Sequence, residues 1–176
     1  MSITESTIAP SLKSIALGDL EHELANSRAL LQRVPDDKLD WKPHEKSFSL
    51  GALALHVARL PYWITNTMQN DFFDLSTAMR NAPATTRQEI LDAFEQTAAE
   101  MWQAVNAASD DDLLSNWEMR MGDKVLMRMR KIDVVRRMGI SHFIHHRGQL
   151  TVYLRLLDVP LPPLYGPSAD ERPNFG

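Results

Sequence analysis

The sequence predicts an all-α protein: a four-helix bundle with ordered loops and an extended, proline-rich C-terminal tail. Three observations carry this prediction. Apolar residues recur at helical rather than alternating spacing over four long stretches. Short polar segments with capping or turn residues separate those stretches. Pro160, Pro162, Pro163 and Pro167 then crowd the C-terminal end, where a helix cannot continue. Four long helices joined by loops are the pattern of a bundle.

The first helix is expected over about Ser11 to Arg33, where Leu12, Ile15, Leu20, Leu24, Leu30 and Leu31 keep the helical repeat. Pro35-Asp36-Asp37 ends it, and Leu39 to Lys46 reads as an ordered loop. Ser49 is placed to cap a second helix from Leu50 to about Asn70, which carries His56. Pro61 lies inside this helix and lacks the N–H that would bond the Val57 carbonyl. A kink, a change of pitch, or a helix stopping near Leu60 would each answer that loss.

The polar Asn81-Ala82-Pro83-Ala84 connection precedes a third helix. Thr85 or Thr86 caps it, with Glu89 three residues after Thr86 as in a capping box. It should reach about Ala108 and bury Ile90, Phe94, Met101 and Val105 before Ser109-Asp110-Asp111-Asp112 breaks it. Trp117 to Met129 alternates polar and apolar residues about Gly122-Asp123, which fits a short hairpin or an irregular loop. The last helix should span about Lys131 to Leu157. With no internal repeat or low-complexity tract, residues 1–176 read as a single domain.

Bulk composition narrows the function. A chain of 176 residues with 44% hydrophobic content is long enough to bury a proper core. A net charge of −4 and a pI of about 5.8 argue against nucleic acid as the main partner. There is no cysteine, so disulfides and thiolate ligation are excluded. A metal would have to be held by imidazole, carboxylate or water. No apolar run reaches the roughly 18–20 residues needed to span a bilayer. Met1 to Ser6 lacks the basic start and apolar core of a signal peptide. The expectation is a cytoplasmic protein without a membrane partner.

Three histidines are the most informative residues. His142 and His146 are four apart in the last helix, a spacing that projects both rings from one face. His56 lies far upstream in the second helix. With His142 at zero on a helical wheel, Val135, Met138, His146, Gln149, Tyr153 and Leu156 fall within about 40°. That mostly apolar stripe predicts a core-facing surface. Ala52, Leu60, Trp63 and Thr67 share the face of His56, so the two faces are expected to meet.

Burying three neutral imidazoles leaves several polar nitrogens to satisfy, and charging the rings costs more. A divalent cation resolves this by taking one nitrogen from each ring, with the other nitrogen held by an acceptor. Three protein ligands and an open position are the plan of a catalytic site. The plain alternative is three satisfied core histidines. His142 with His145 is a rival pair, because i,i+3 residues are also neighbours.

Other metal plans fit worse. The chain has no His-Glu-x-x-His and no Glu-x-x-His. Asp19-Leu20-Glu21-His22 reads as a solvated helix face, and His44 as exposed in a charged loop. Met119, Met121, Met127 and Met129 read as packing residues.

Several segments together resemble the DinB-like (DinB/YfiT) family of metal-dependent proteins. They are Leu39 to Pro43, Ser47 to Ala58, His142 to Leu150 and Pro163 to Glu171, and the likeness covers nearly the whole chain. The ordered pattern of one His followed by His-x-x-x-His-Arg-x-Gln is its most specific part. The resemblance implies a four-helix bundle, often dimeric, whose histidine triad holds nickel or zinc, with manganese or iron as alternatives. Carried over residue by residue, the ligands are His56, His142 and His146.

The resemblance says less about the reaction. It implies thiol-dependent S-transferases and isomerases, and hydrolases. A three-histidine site supports both chemistries, since a bound cation lowers the pKa of water to about 7 and favours thiolate over thiol. Lacking cysteine, this chain would need an external low-molecular-weight thiol. Tyr153 is the one catalytic candidate on the stripe, able to orient a substrate or donate a proton. A structural hydrogen bond is the commoner role for such a tyrosine. Trp63 is placed to form an apolar wall. Arg147 lies about 140° from His142 and should point away from the metal, toward the loops or a dimer partner.

Two functions follow. One is a metal-dependent enzyme acting on a small molecule as a thiol transferase or hydrolase. The other is a stress-linked dimerisation or interaction module in which the metal is structural. The tail after Pro160 fits a lid, an interface arm or packing against the helices.

Overall fold

The computed structural model describes residues 11–78 and 83–172. The expectations placed on Met1 to Ser6 and on Asn81-Ala82 lie outside the described residues. Helices dominate, and the expected long helices form with breaks. The first is divided at Gly18-Asp19 into α1 (Leu12–Leu17) and α2 (Leu20–Leu31). The break resets the helical phase. Leu20, Leu24, Leu30 and Leu31 are buried as expected, but Ile15 on α1 is 69% exposed.

The second helix is divided where proline predicts. α3 (Leu50–Arg59) starts at Ser49, whose side chain accepts from the Ala52 N–H at 3.2 Å. α4 (Tyr62–Gln69) begins after Pro61. The Val57 carbonyl that Pro61 cannot bond is taken up by the Leu60 N–H at 3.3 Å, which also reaches the His56 carbonyl at 3.1 Å. Gly51 lets α3 lie close on the preceding loop. A Cβ there would come within 3.2 Å of the Leu39 carbonyl oxygen.

α5 (Arg87–Ala107) is capped by Thr86 and buries Ile90, Phe94, Met101 and Val105. Glu89 reaches back one residue further than the expected box, accepting from the Thr85 N–H at 2.8 Å. The Ser109 segment does more than break the chain. Ser109 and Asp112 form a capping box that starts α6 (Asp110–Leu114).

The all-α expectation is corrected by a three-stranded sheet. β1 (Phe72–Asp74) runs parallel to β2 (Asn116–Met121), which pairs antiparallel with β3 (Lys124–Arg130). The hairpin turns at Gly122-Asp123, where Gly122 takes φ 56°, a left-handed conformation open to glycine. Alternation therefore meant a hairpin. β1 is too short to show a period, and only pairing with β2 makes it a strand. Fully buried Trp117 anchors the sheet. Met119, Met127 and Met129 are half-buried on the hairpin, while Met121 is exposed.

The last helical stretch changes pitch. α7 (Lys131–Val134) passes into a π-helical segment, Val135–Ser141, and then into α8 (His142–Leu156). Gly139 sits in the middle of the π segment against α4. A Cβ there would meet Ile64 Cγ1 at 2.6 Å. α2, α3, α5 and α8 share the core, with Leu30, Leu50, Leu53, Ile90, Phe94, Leu150 and Leu154 sealed from solvent.

The tail is pinned at several points up to Glu171. Asp170 accepts from the Leu161 N–H at 2.9 Å and pairs with Arg155, while Glu171 pairs with Arg33 at 2.6 Å. These contacts show packing against the helices for this segment.

Candidate metal centre

The core-facing stripe of α8 is not the one the wheel predicts. Phe143, Arg147, Leu150 and Leu154 are buried. His142, His146 and Tyr153 are half-buried on the adjoining flank, and Gln149 and Leu156 are exposed. The π segment explains the error. Bonding from i to i+5 turns the chain by less per residue than an α-helix does. Val135 and Met138 therefore drop out of phase with residues beyond Ser141. The His142–His146 relation survives because both belong to α8.

The three histidines do converge. One ring nitrogen from each of His56, His142 and His146 lies within 4.8 Å of the others. The His56 ring centre is 4.4 Å from that of His146 and 5.4 Å from that of His142. The Nε2 atoms of His142 and His146 face each other at 2.8 Å. Two nitrogens each held 2.0–2.1 Å from one ion stand roughly 3 Å apart, so this donor set fits a divalent cation.

The surroundings favour ligation. His146 Nδ1 lies 2.8 Å from Gln149 Oε1. An amide oxygen accepts only, so Nδ1 carries the proton and Nε2 keeps its lone pair for the cluster. Gln149 is a member of the predicted stripe, and its i+3 spacing from His146 was the available signal for this partner. The Phe48 ring stands 5.9 Å from His56 and 6.5 Å from His146, centre to centre. Nothing in the sequence around Phe48 announces that contact.

All three rings are held below the ordinary imidazole range. His56 falls from 6.5 to about 4, first through burial and then through the neighbouring His146 and His142 rings. Burial is also the main cause for His142 and His146, opposed by the Met138 carbonyl for the former and by Gln149 for the latter. Neutral imidazole is the form that binds metal.

Other candidates take other places. His145 is exposed, with its ring centre 5.0 Å from that of His146, and lies outside the converging set. The Tyr153 hydroxyl donates to the Phe48 carbonyl at 3.3 Å, and its ring packs edge-on against Trp41. It holds the loop that carries Phe48. Asp19, Glu21, His22 and His44 are exposed, as the sequence suggests.

Arg147 points away from the triad, as predicted, but into the interior rather than toward loops or a partner. It is 1% exposed and pairs with buried Glu23 at 2.6 Å. It also donates to the Glu23 carbonyl and to Tyr165 of the tail.

Comparisons with known proteins bear on the fold and the family. The uncharacterized protein YrdA of Bacillus subtilis is 27% identical over 157 residues, covering 89% of each chain. The crystal structure of a DinB-like protein from Bacillus cereus covers 90% of this chain and all of its own, with a TM-score of 0.72 at 19% identity. A DinB-like protein from Bacillus subtilis, YjoA, gives 0.68 at 15% identity, covering 86% of this chain and 96% of its own. These structures share the fold. The model of the DinB family matches residues 20–173, nearly the whole chain, and the protein belongs to the DinB family.

Proposed function

We propose that the protein is a metal-dependent enzyme acting on a small molecule, with His56, His142 and His146 as the ligands of one divalent ion. Nickel and zinc suit a neutral three-imidazole set best, and manganese and iron are alternatives. The convergence of three uncharged ring nitrogens from two separate helices carries the reading. The helical stretches α2, α3–α4, α5 and α7–α8 act in this reading as a four-helix bundle that holds those helices in register.

A bound ion of this kind supplies Lewis acidity toward a coordinated water or thiol. The chain's own residues do the rest. Gln149 fixes the His146 tautomer. Phe48 covers one side of His56 and His146 and limits water there. Tyr153 keeps the Phe48 loop in place. A thiol co-substrate would come from outside, since the chain has no cysteine. Thiol transfer or hydrolysis is the reaction class proposed.

A structural metal is the second reading. It is favoured by one observation: no carboxylate joins the converging set among the described residues.

Elemental analysis of untagged protein, beside His56→Ala, His142→Ala and His146→Ala, tests both. Near-stoichiometric metal, lost in every variant, supports the triad. Exchange of that metal by a chelator in the folded protein supports the enzyme. Loss only on unfolding supports the structural role. Protein that stays metal-free after incubation with all four ions would sink both.

A further inference from the structure

A cavity of about 600 Å3 opens beside His56, between α3, α4 and α5. That volume suits a small organic molecule rather than a lone ion. Trp63 and Phe73 supply its apolar part, their ring centres 5.0 Å apart. Its polar groups are mostly engaged already. The Thr97 hydroxyl donates to the Ala58 carbonyl at 2.6 Å. The Gln96 amide donates to Glu100 at 2.9 Å, and the Thr77 hydroxyl to the Asp74 carbonyl at 2.9 Å.

Beside His56 of the triad, Arg59 is the exception. It lines the cavity one helical turn after His56, yet it makes no ion pair or side-chain hydrogen bond to a described residue. Arg87, Arg137 and Arg172 also lack an ion pair to a described residue, but none of them lines the cavity, whereas Arg28, Arg33, Arg120, Arg128, Arg130, Arg136, Arg147 and Arg155 each have an acidic partner. No Asp or Glu lines the cavity among the described residues. The unmatched charge is therefore positive, beside an aromatic wall.

We propose that this cavity binds an aryl- or alkyl-substituted monocarboxylate. Its carboxylate pairs with Arg59, and its apolar body lies along Trp63 and Phe73. The guanidinium fork matches a planar carboxylate, and one cation balances one negative charge, which favours a carboxylate over a phosphate dianion. A molecule anchored this way stands against His56, the one residue that lines the cavity and also belongs to the triad. As a substrate class this rests on the enzyme reading above; as a binding site it needs no metal.

The test uses full-length, chelator-treated protein, so that the carboxylate cannot bind an ion instead. The probes are 3-phenylpropanoate and its neutral analogue 3-phenylpropanamide, followed by NMR titration. The Trp63 indole signal is assigned with Trp63→Phe.

Saturable binding of the acid that shifts the Trp63 signal is expected, with the amide weaker on the order of tenfold. Arg59→Gln should remove that preference, weakening the acid far more than the amide, and Arg59→Lys should restore part of it. Equal binding of acid and amide, an Arg59→Gln variant that keeps the preference, or no saturable binding of the acid would each overturn the proposal. Failure of the metal reading shows separately, in the elemental analysis, and leaves this result standing.

Discussion

α8 carries two polar clusters that end in opposite states. On its inner face Arg147 meets the Glu23 carboxylate, the Glu23 carbonyl, the Ser27 hydroxyl and Tyr165. The Tyr165 hydroxyl in turn lies 2.8 and 2.9 Å from the two Glu23 oxygens. Charge and hydrogen bonds close on themselves there. On the flank, His142 and His146 point Nε2 at Nε2, and no more than one proton fits between them. His56 has no hydrogen-bond partner among the described residues, although its ring is pressed against both. The Arg147–Glu23 pair is nearly sealed from solvent and its network is complete, with exposed Tyr165 closing it from outside, whereas the half-buried histidines keep nitrogens without partners. The difference separates a cluster that holds the fold from one that invites a ligand.

The largest effect should come from opening the closed cluster. Arg147→Met leaves Glu23, 3% exposed, as an uncompensated buried charge. Breaking a buried pair from one side costs about 3–5 kcal/mol. In a domain of this length that lowers Tm on the order of 10 °C. The triple change Arg147→Met, Glu23→Leu and Tyr165→Phe removes both charges and the phenol hydroxyl together and should recover most of the loss, since the Ser27 hydroxyl keeps its bond to the Glu23 carbonyl. Thermal denaturation of both, beside metal-free His146→Ala, sharpens the contrast, because the histidine variant should melt close to wild type. A His146→Ala loss as large as that of Arg147→Met would erase the distinction.

The middle effect tests the segment that misled the helical wheel. The core of α5, the caps at Ser49 and Thr86 and the break at Pro61 were readable because each is a local rule obeyed within one helix. The triad was readable for the same reason, with His142 and His146 one turn apart inside α8. The π segment coincides with a tertiary close approach, Gly139 against Ile64, that no local periodicity reports. Arg147 looked peripheral by angle because the wheel's zero was set on the wrong stripe. The cavity was equally out of reach, since Arg59, Trp63, Phe73 and Thr97 come from four separate elements. Gly139→Ala should cost about 1–3 kcal/mol by overpacking against Ile64. The same variant should weaken metal binding, since it moves the helix that presents His142. Urea denaturation and metal titration of this one variant check both. An unchanged midpoint would mean that the π turn is not set by that contact.

The smallest effect lies in the open cluster itself and has a defined sign. In the metal-free protein all three rings are held below the ordinary histidine range, His56 to about 4 from 6.5. Between those two values the unfolded chain binds more protons than the folded one. Stability therefore rises with pH through that window, and it falls as the solution is acidified from 6.5 toward 4. The rings are only half-buried, so solvent screens the loss to something on the order of 1 kcal/mol. Glu95, Glu118 and Asp170, whose carboxyls are held below their usual range by arginine partners, add their own loss only at the acid end. Urea midpoints at pH 6.5 and 5 isolate the histidines. His56→Gln should flatten the slope between those two points, because it removes the ring that burial and its neighbours depress to about 4. A slope that survives His56→Gln would place the missing protons elsewhere and leave the triad without the strain that a metal ion relieves.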